Sequence, residues 1–172
     1  MEQLVGDTYG LIHLISSIIA LVTGAMVLMM KKGTIRHKRI GYVYVLSMIV
    51  LLLTSFMIYR LFDGWGVFHY TTIASLLTIS LGMIPLRTKK PTQSWKYMHF
   101  SFMYWSVICL YSAFAADVLT RIPQTPFFPM VGIAFGIIML AGSIFFAVNK
   151  SKWVSLFGIG KKNQHATNVY DP

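Results

Sequence analysis

Residues 98–120 read MHFSFMYWSVICLYSAFAADVLT and contain one histidine, His99, and one charged residue, Asp117. The length and apolar character of this run predict a helix that crosses a membrane. His99 and Asp117 are 18 residues apart, which is five whole turns and about 27 Å along a helix axis, so both lie on one face. Ionisable groups inside a span are costly and mark functional candidates. The run therefore predicts a helix with polar groups near both bilayer surfaces.

The composition extends this prediction to the whole chain. Of 172 residues, 56% are hydrophobic and 12% are charged, which is too apolar for a domain surrounded by water. Lipid requires backbone polar groups to be satisfied within each segment, which favours helices. Four further runs are each close to the ~20 residues that a spanning helix needs; they are 9–30, 40–59, 67–86 and 127–148. We expect an all-α integral membrane bundle of five transmembrane helices.

The domain organisation follows from the same pattern. Residues 1–148 form the predicted five-span domain, whose first four spans make the core, and residues 149–172 form a basic, partly disordered cytoplasmic tail. The single cysteine, Cys109, excludes an intramolecular disulfide and a cluster of thiolate ligands within one chain.

The basic residues are distributed unevenly over the predicted loops. All 15 lysines and arginines except Arg60 and Arg121 follow the first, third or fifth span. Basic loops face the cytoplasm, so the amino terminus is predicted outside, the carboxyl terminus in the cytoplasm, and the protein in the cell membrane. The net charge of +10 does not indicate nucleic acid binding, because the basic residues do not form one water-facing surface with interleaved aromatics.

Four histidines lie near the ends of the first four spans. His13 and His69 are on the predicted outer side, in spans one and three, whereas His37 and His99 are on the inner side, beside spans two and four. If the first four spans form an up-down bundle in chain order, these pairs occupy its two diagonals. Each pair is then expected to point at the bundle axis.

The same polar and small residues also have structural interpretations. A histidine at a membrane boundary can place its polar ring edge among the headgroups. Asp117 can accept a hydrogen bond in helix packing or pair with Arg121, one turn further on. Gly132 and Gly136 form a small-xxx-small pattern, which favours packing within the chain over an oligomer contact through the fifth span.

The chain resembles a family of predicted bacterial membrane proteins that is known only as a domain of unknown function. The likeness covers most of residues 9–123 and rests on His13, HKRIG (37–41), His69, HFSFMYWS (99–106), Asp117 and RIP (121–123). Two positions depart from the family and keep its charge: Lys38 stands in place of arginine, and Asp117 in place of glutamate. The resemblance implies a topology and a polar pattern but no established reaction.

The first functional hypothesis is a redox module. Membrane b-type haem is held by one imidazole from each of two helices, and two haems stacked across a bilayer need one such pair near each surface. His13 with His69, and His37 with His99, match this requirement. The pattern resembles that of two-haem membrane cytochromes. It predicts a protein that binds haem b and exchanges electrons with a membrane partner.

Other polar residues have roles in this hypothesis. Cations stabilise carboxylates at a partly desolvated surface, so Arg36, Lys38 and Arg39 are the expected partners of the inner haem propionates. Ser106 and Asp117 share the His99 face and are expected to tune the site or relay protons.

Two alternatives stay open. His13, His69 and Asp117 offer two imidazoles and a carboxylate, which is a competent zinc site that leaves a position for water and so permits hydrolysis. Alternatively, the chain binds no cofactor and helps a larger complex to assemble through its fifth span. Substrate, electron donor and acceptor are outside what these patterns indicate, and so is whether the protein is an enzyme.

Overall fold

The computed structural model describes residues 8–57, 66–120 and 126–157, and all regular secondary structure within these ranges is helical. Five helices follow one another: α1 (Thr8–Met29), α2 (Ile35–Ser55), α3 (Val67–Thr88), α4 (Trp95–Thr120) and α5 (Phe127–Leu156). Each is long and apolar enough to cross a membrane, so the predicted all-α fold with five spans is confirmed. The inside and outside assignment stays a prediction.

Two helices extend beyond their apolar runs. The Thr34 side chain accepts a hydrogen bond of 3.1 Å from the backbone N–H of His37, and α2 therefore begins before the apolar residues do. His37 consequently belongs to the first turn of α2. At the other end of the chain, α5 continues past residue 148 to Leu156, so the predicted domain boundary falls inside a helix. The rest of the predicted tail, from residue 158, lies outside the described residues.

The first four helices form a ring in chain order. α1 packs extensively on α2 and α3 on α4, while smaller contacts of α2 with α3 and of α1 with α4 close the ring. Within the described ranges, no Cα atom of α1 lies within 8 Å of one in α3, and the same holds for α2 and α4. These two pairs are the diagonals that the sequence predicted. α5 packs mainly on α4, and Phe127 at its start also contacts Phe68 of α3, with ring centroids 6.2 Å apart.

A buried hydrogen bond joins α2 to α4 across the middle of the ring. The Tyr44 hydroxyl and Ser106 Oγ are 2.9 Å apart, and both residues are 0% exposed. Ser106 donates to the Met103 carbonyl, so its oxygen accepts from Tyr44. A Cβ on Gly24 of α1 would lie 3.0 Å from the Tyr44 ring, so the absence of a side chain here favours close approach of α1.

An aromatic cluster attaches α5 to α4. Phe100 and Trp153 have ring centroids 4.8 Å apart, and Tyr104 donates a hydrogen bond of 2.8 Å to the Gly142 carbonyl. A Cβ on Gly142 would be 2.8 Å from Ile108, so this glycine allows the close approach. Trp153 thus packs on α4, which explains why α5 remains helical beyond its apolar run.

The small-xxx-small pattern on α5 does not mediate packing within the chain. Gly132 and Gly136 are exposed, and an added Cβ at either would have nothing within 4 Å among the described residues. The prediction of intramolecular packing at these glycines is therefore wrong, because α5 is rotated so that Gly142 and Ala134 face inward instead.

We expect Ser106→Ala to lower the free energy of unfolding in detergent by about 1–3 kcal/mol, because it leaves the buried Tyr44 hydroxyl without its acceptor. The matched control is Ser143→Ala on α5, an exposed serine that donates to its own helix, for which the change should be close to zero. Equal effects of the two variants in denaturant titrations would contradict a central role for the Tyr44–Ser106 bond.

Candidate functional site

Two polar layers flank the closed middle of the bundle. One lies at the end that carries residues 30–34 and 89–94, which we call the basic end. The other lies where α1 and α3 begin, which we call the amino-terminal end. His37 and His99 belong to the basic end, whereas His13 and His69 belong to the amino-terminal end.

At the basic end, His99 is held in a defined ring orientation. Its Nδ1 lies 2.8 Å from the carbonyl oxygen of Gly82 on α3, so Nδ1–H donates and Nε2 keeps its lone pair. A Cβ on Gly82 would lie 2.9 Å from the Met103 sulfur, and the missing side chain thus brings this carbonyl close to α4. Donation of one ring N–H to a backbone carbonyl is the usual arrangement of a histidine that ligates through its other nitrogen.

His37 on α2 faces the same interior region. It is close enough to His99 and Lys32 for their charges to act on its ring. Its Nδ1 is buried and has no hydrogen-bond partner within residues 8–57, 66–120 and 126–157. A buried polar atom without a partner costs about 1–3 kcal/mol, which marks this nitrogen as a candidate binding atom. The structure therefore places the predicted inner pair within electrostatic range.

Lys32 is the cation that reaches this region. Its Nζ donates to the carbonyls of Val27 and Leu28 at the end of α1, at 2.7 and 2.6 Å, and lies 5.8 Å from the centre of the Phe100 ring. Burial lowers the pKa of Lys32 from its ordinary value. The last carbonyls of a helix lack partners, and a lysine shortly after the helix can supply one. The position of Lys32 in the sequence therefore could have predicted this contact.

The other cations proposed for this site are exposed, and their predicted contact with propionates stays a prediction. Arg36, Lys38 and Arg39 are all exposed on the first turns of α2. Ser106 lies seven residues from His99, about 10 Å along α4, and its hydrogen bonds go to Tyr44 and Met103. Ser106 therefore belongs to the middle of the bundle and not to the surroundings of the His99 ring.

At the amino-terminal end, His13 contacts the last turn of α2. Its Nδ1 lies 3.2 Å from Thr54 Oγ1. The Thr54 hydroxyl donates to main-chain carbonyls of its own helix, so its oxygen accepts from His13 Nδ1–H. His13 therefore shares the Nδ1–H tautomer of His99.

His69 has the opposite tautomer. The ring is 4% exposed, and its Nδ1 accepts a hydrogen bond of 3.2 Å from the backbone N–H of Gly66 at the start of α3. A neutral ring that accepts through Nδ1 carries its proton on Nε2. Its centroid lies 6.3 Å from that of Phe56, just beyond α2. His13 and His69 thus both contact the C-terminal end of α2, but only His13 has the tautomer of an Nε2 ligand.

Asp117 is half-buried near the end of α4, and its main-chain carbonyl accepts from Thr120. The predicted partner Arg121 lies outside the described residues. In the part of the chain that the structure describes, no three His, Cys, Asp or Glu side chains are placed to hold a metal ion. The zinc hypothesis built on His13, His69 and Asp117 stays a prediction without structural support.

The fold and its two polar layers define a multi-pass helical membrane protein. The chain belongs to the family described as predicted membrane protein (DUF2306), whose model matches residues 10–148. This agrees with the resemblance seen in the sequence. No curated protein and no solved structure matches the chain.

The buried position of Lys32 predicts a pH dependence of stability. Because its folded pKa lies below the ordinary value of 10.5, the unfolded chain binds more protons between these two values, and stability should rise with pH in this window. We expect the Lys32→Met variant to lose this rise in stability with pH. The control variant Lys31→Met, which replaces an exposed neighbour, should keep it. Unfolding followed by fluorescence from neutral to alkaline pH tests this, and identical pH profiles of the two variants would contradict it.

Proposed function

We propose that the protein is a membrane redox module that binds one b-type haem at the basic end, where His37 and His99 would hold the iron. The observation that carries the proposal is the hydrogen bond from His99 Nδ1–H to the Gly82 carbonyl. It fixes the ring orientation and tautomer and leaves Nε2 available as a ligand. Ligation by one imidazole from each of two facing helices is the usual way in which membrane helices hold haem b.

The position of His37 supports the second ligand. Its ring lies in electrostatic range of His99. Its buried Nδ1 lacks a partner among the described residues, which costs free energy unless another group binds there. The helices that carry the two rings are a diagonal pair whose described Cα atoms are more than 8 Å apart. Side chains, and not backbones, therefore fill the space between them.

Lys32 supports the same location. Its ammonium group is fixed by two carbonyls beside the His37 ring, and a propionate would be a charge-assisted partner for it. Arg36, Lys38 and Arg39 remain available only at the exposed rim. A haem bound between these residues supplies one-electron transfer. The role of the chain itself is to orient the ligands, balance the propionate charge and exclude water.

The amino-terminal end fits a second haem less well. His69 uses Nδ1 as an acceptor for Gly66 N–H, and ligation through Nε2 would require it to move the ring proton and lose this bond. We therefore propose that the protein binds a single haem. A second haem held by His13 and His69 stays a prediction.

Detergent-purified protein is expected to show a Soret band that shifts on dithionite reduction, with one haem per chain. His37→Ala and His99→Ala should abolish the band, and added imidazole should restore it in His99→Gly. His13→Ala and the tail variant His165→Ala are the controls and should retain it.

The possible results of this experiment are distinct. A colourless protein from haem-replete cells that stays unchanged on haem addition would refute the proposal. Two haems per chain, one of them lost in His13→Ala, would establish the amino-terminal pair as well.

A second candidate function, assembly with a partner helix, is favoured by α5. This helix packs mainly on α4. Gly132 and Gly136 are exposed, and an added Cβ at either would meet no described residue within 4 Å. Close approach at small residues is a common basis of helix association in lipid. The partner is either a second copy of the chain or a helix of a larger complex.

We expect Gly136→Leu to reduce cross-linking of the protein to itself or to a partner in native membranes, because the added side chain prevents close helix approach. The control is Ala141→Leu, a similar enlargement at another exposed position of α5, which should leave cross-linking unchanged. Identical cross-linking of both variants and the unmodified protein would exclude this α5 face as an interface.

A further inference from the structure

A groove opens outward at the basic end, between the last turns of α3 and the start of α4. It encloses about 630 Å³. Its apolar floor includes Leu81, Ile84 and Met98, and its rim includes Thr88, Lys90 and Thr92. Leu81 and Ile84 are 45% and 53% exposed, so the groove faces the surroundings of the bundle and not its axis. The apolar floor therefore adjoins the lipid, and the polar rim lies where the helices end.

Lys90 of the rim is one of three lysines between the end of α3 and the first turn of α4. Lys89 ends α3 in a left-handed conformation, and its Nζ lies 4.1 Å from the centre of the Trp95 ring. Lys96 places its Nζ 5.6 Å from the same ring. Two ammonium groups thus lie near the Trp95 ring, and one of them belongs to Lys89, which precedes Lys90 in the chain. The ring attracts each cation, but the cations repel one another.

No carboxylate lies beside these lysines within the ranges that the structure describes. Its five acidic residues are Glu2, Asp7, Asp63, Asp117 and Asp171. None of them falls within residues 31–39 or 87–96, the two basic loops with their flanking turns. In the ranges that the structure describes, Asp117 is the single acidic side chain, and it lies near the opposite end of α4. Among the described residues, the lysines beside the groove therefore form a site of positive charge that suits an anionic group.

We propose that this groove binds an anionic phospholipid, with an acyl chain on the floor formed by Leu81, Ile84 and Met98 and the phosphate beside Lys90. Lys89 and Lys96 add to the positive potential at the headgroup. Basic pockets between transmembrane helices bind anionic headgroups in this way. The apolar floor selects a lipid over a free anion, since an inorganic phosphate has nothing to place there. This site is independent of the one formed by His37 and His99.

Native mass spectrometry of the full-length protein in detergent tests the proposal, with phosphatidylglycerol and phosphatidylcholine of the same acyl chains. We expect one phosphatidylglycerol to bind more tightly than phosphatidylcholine. Each lysine near a headgroup contributes about a fivefold gain in affinity, so K90Q with K96Q should weaken phosphatidylglycerol binding by roughly 25-fold. The matched control is K38Q with R39Q, which removes the same charge from exposed positions at the same end and should change the affinity little.

A second measurement locates the lipid. Phosphatidylglycerol brominated on its acyl chain should quench the fluorescence of Trp95, measured as the difference between the unmodified protein and W95F. Equal binding of the two lipids, equal weakening by both charge variants, or displacement of the lipid by millimolar inorganic phosphate would overturn the proposal.

Discussion

The bundle depends on a requirement that lipid imposes: a polar atom between the helices must find its partner inside the protein. In the middle of the membrane this requirement is met by the bond between Tyr44 and Ser106, because Ser106 is itself satisfied by the Met103 carbonyl. The bond joins two helices that have no close backbone contact. α4 therefore organises the fold, since it contacts α1, α3 and α5 directly and reaches α2 through this pair of hydroxyls.

The same requirement makes the two histidine layers unequal. His13 and His99 donate through Nδ1 to fixed oxygens, whereas His69 accepts a backbone N–H. An imidazole that caps a helix is committed to its own chain, whereas one that donates through Nδ1 keeps the other nitrogen for a ligand. Four histidines near the bundle axis therefore do not by themselves form two equivalent haem sites. The hydrogen bond at the second ring nitrogen decides which histidines are suited to ligation.

Positive charge at the basic end occupies two different environments. Lys32 turns inward, where the free carbonyls of α1 and the His37 ring surround it. Lys89 and Lys96 contact the Trp95 ring, and Lys90 lies on the rim of the outer groove. The inner cation suits a buried anionic group, whereas the outer ones suit a headgroup in contact with the bilayer. The excess of basic residues at this end indicates the orientation of the protein in the membrane. Because these residues occupy two environments, it also supports two proposals, one for haem and one for a phospholipid.

The sequence by itself determined the five spans, their all-α character, the diagonal placement of the histidines and the common face of His99 and Ser106. These properties depend on hydrophobic length, helical period and chain order, all of which are local. Only the tertiary structure decided that Gly82 supplies the acceptor for His99, that Lys32 and not Arg36 turns inward, and that Gly142 and not Gly136 packs on α4. Each depends on the rotation of one helix against another or on the reach of one side chain, and several rotations satisfy the same hydrophobic pattern.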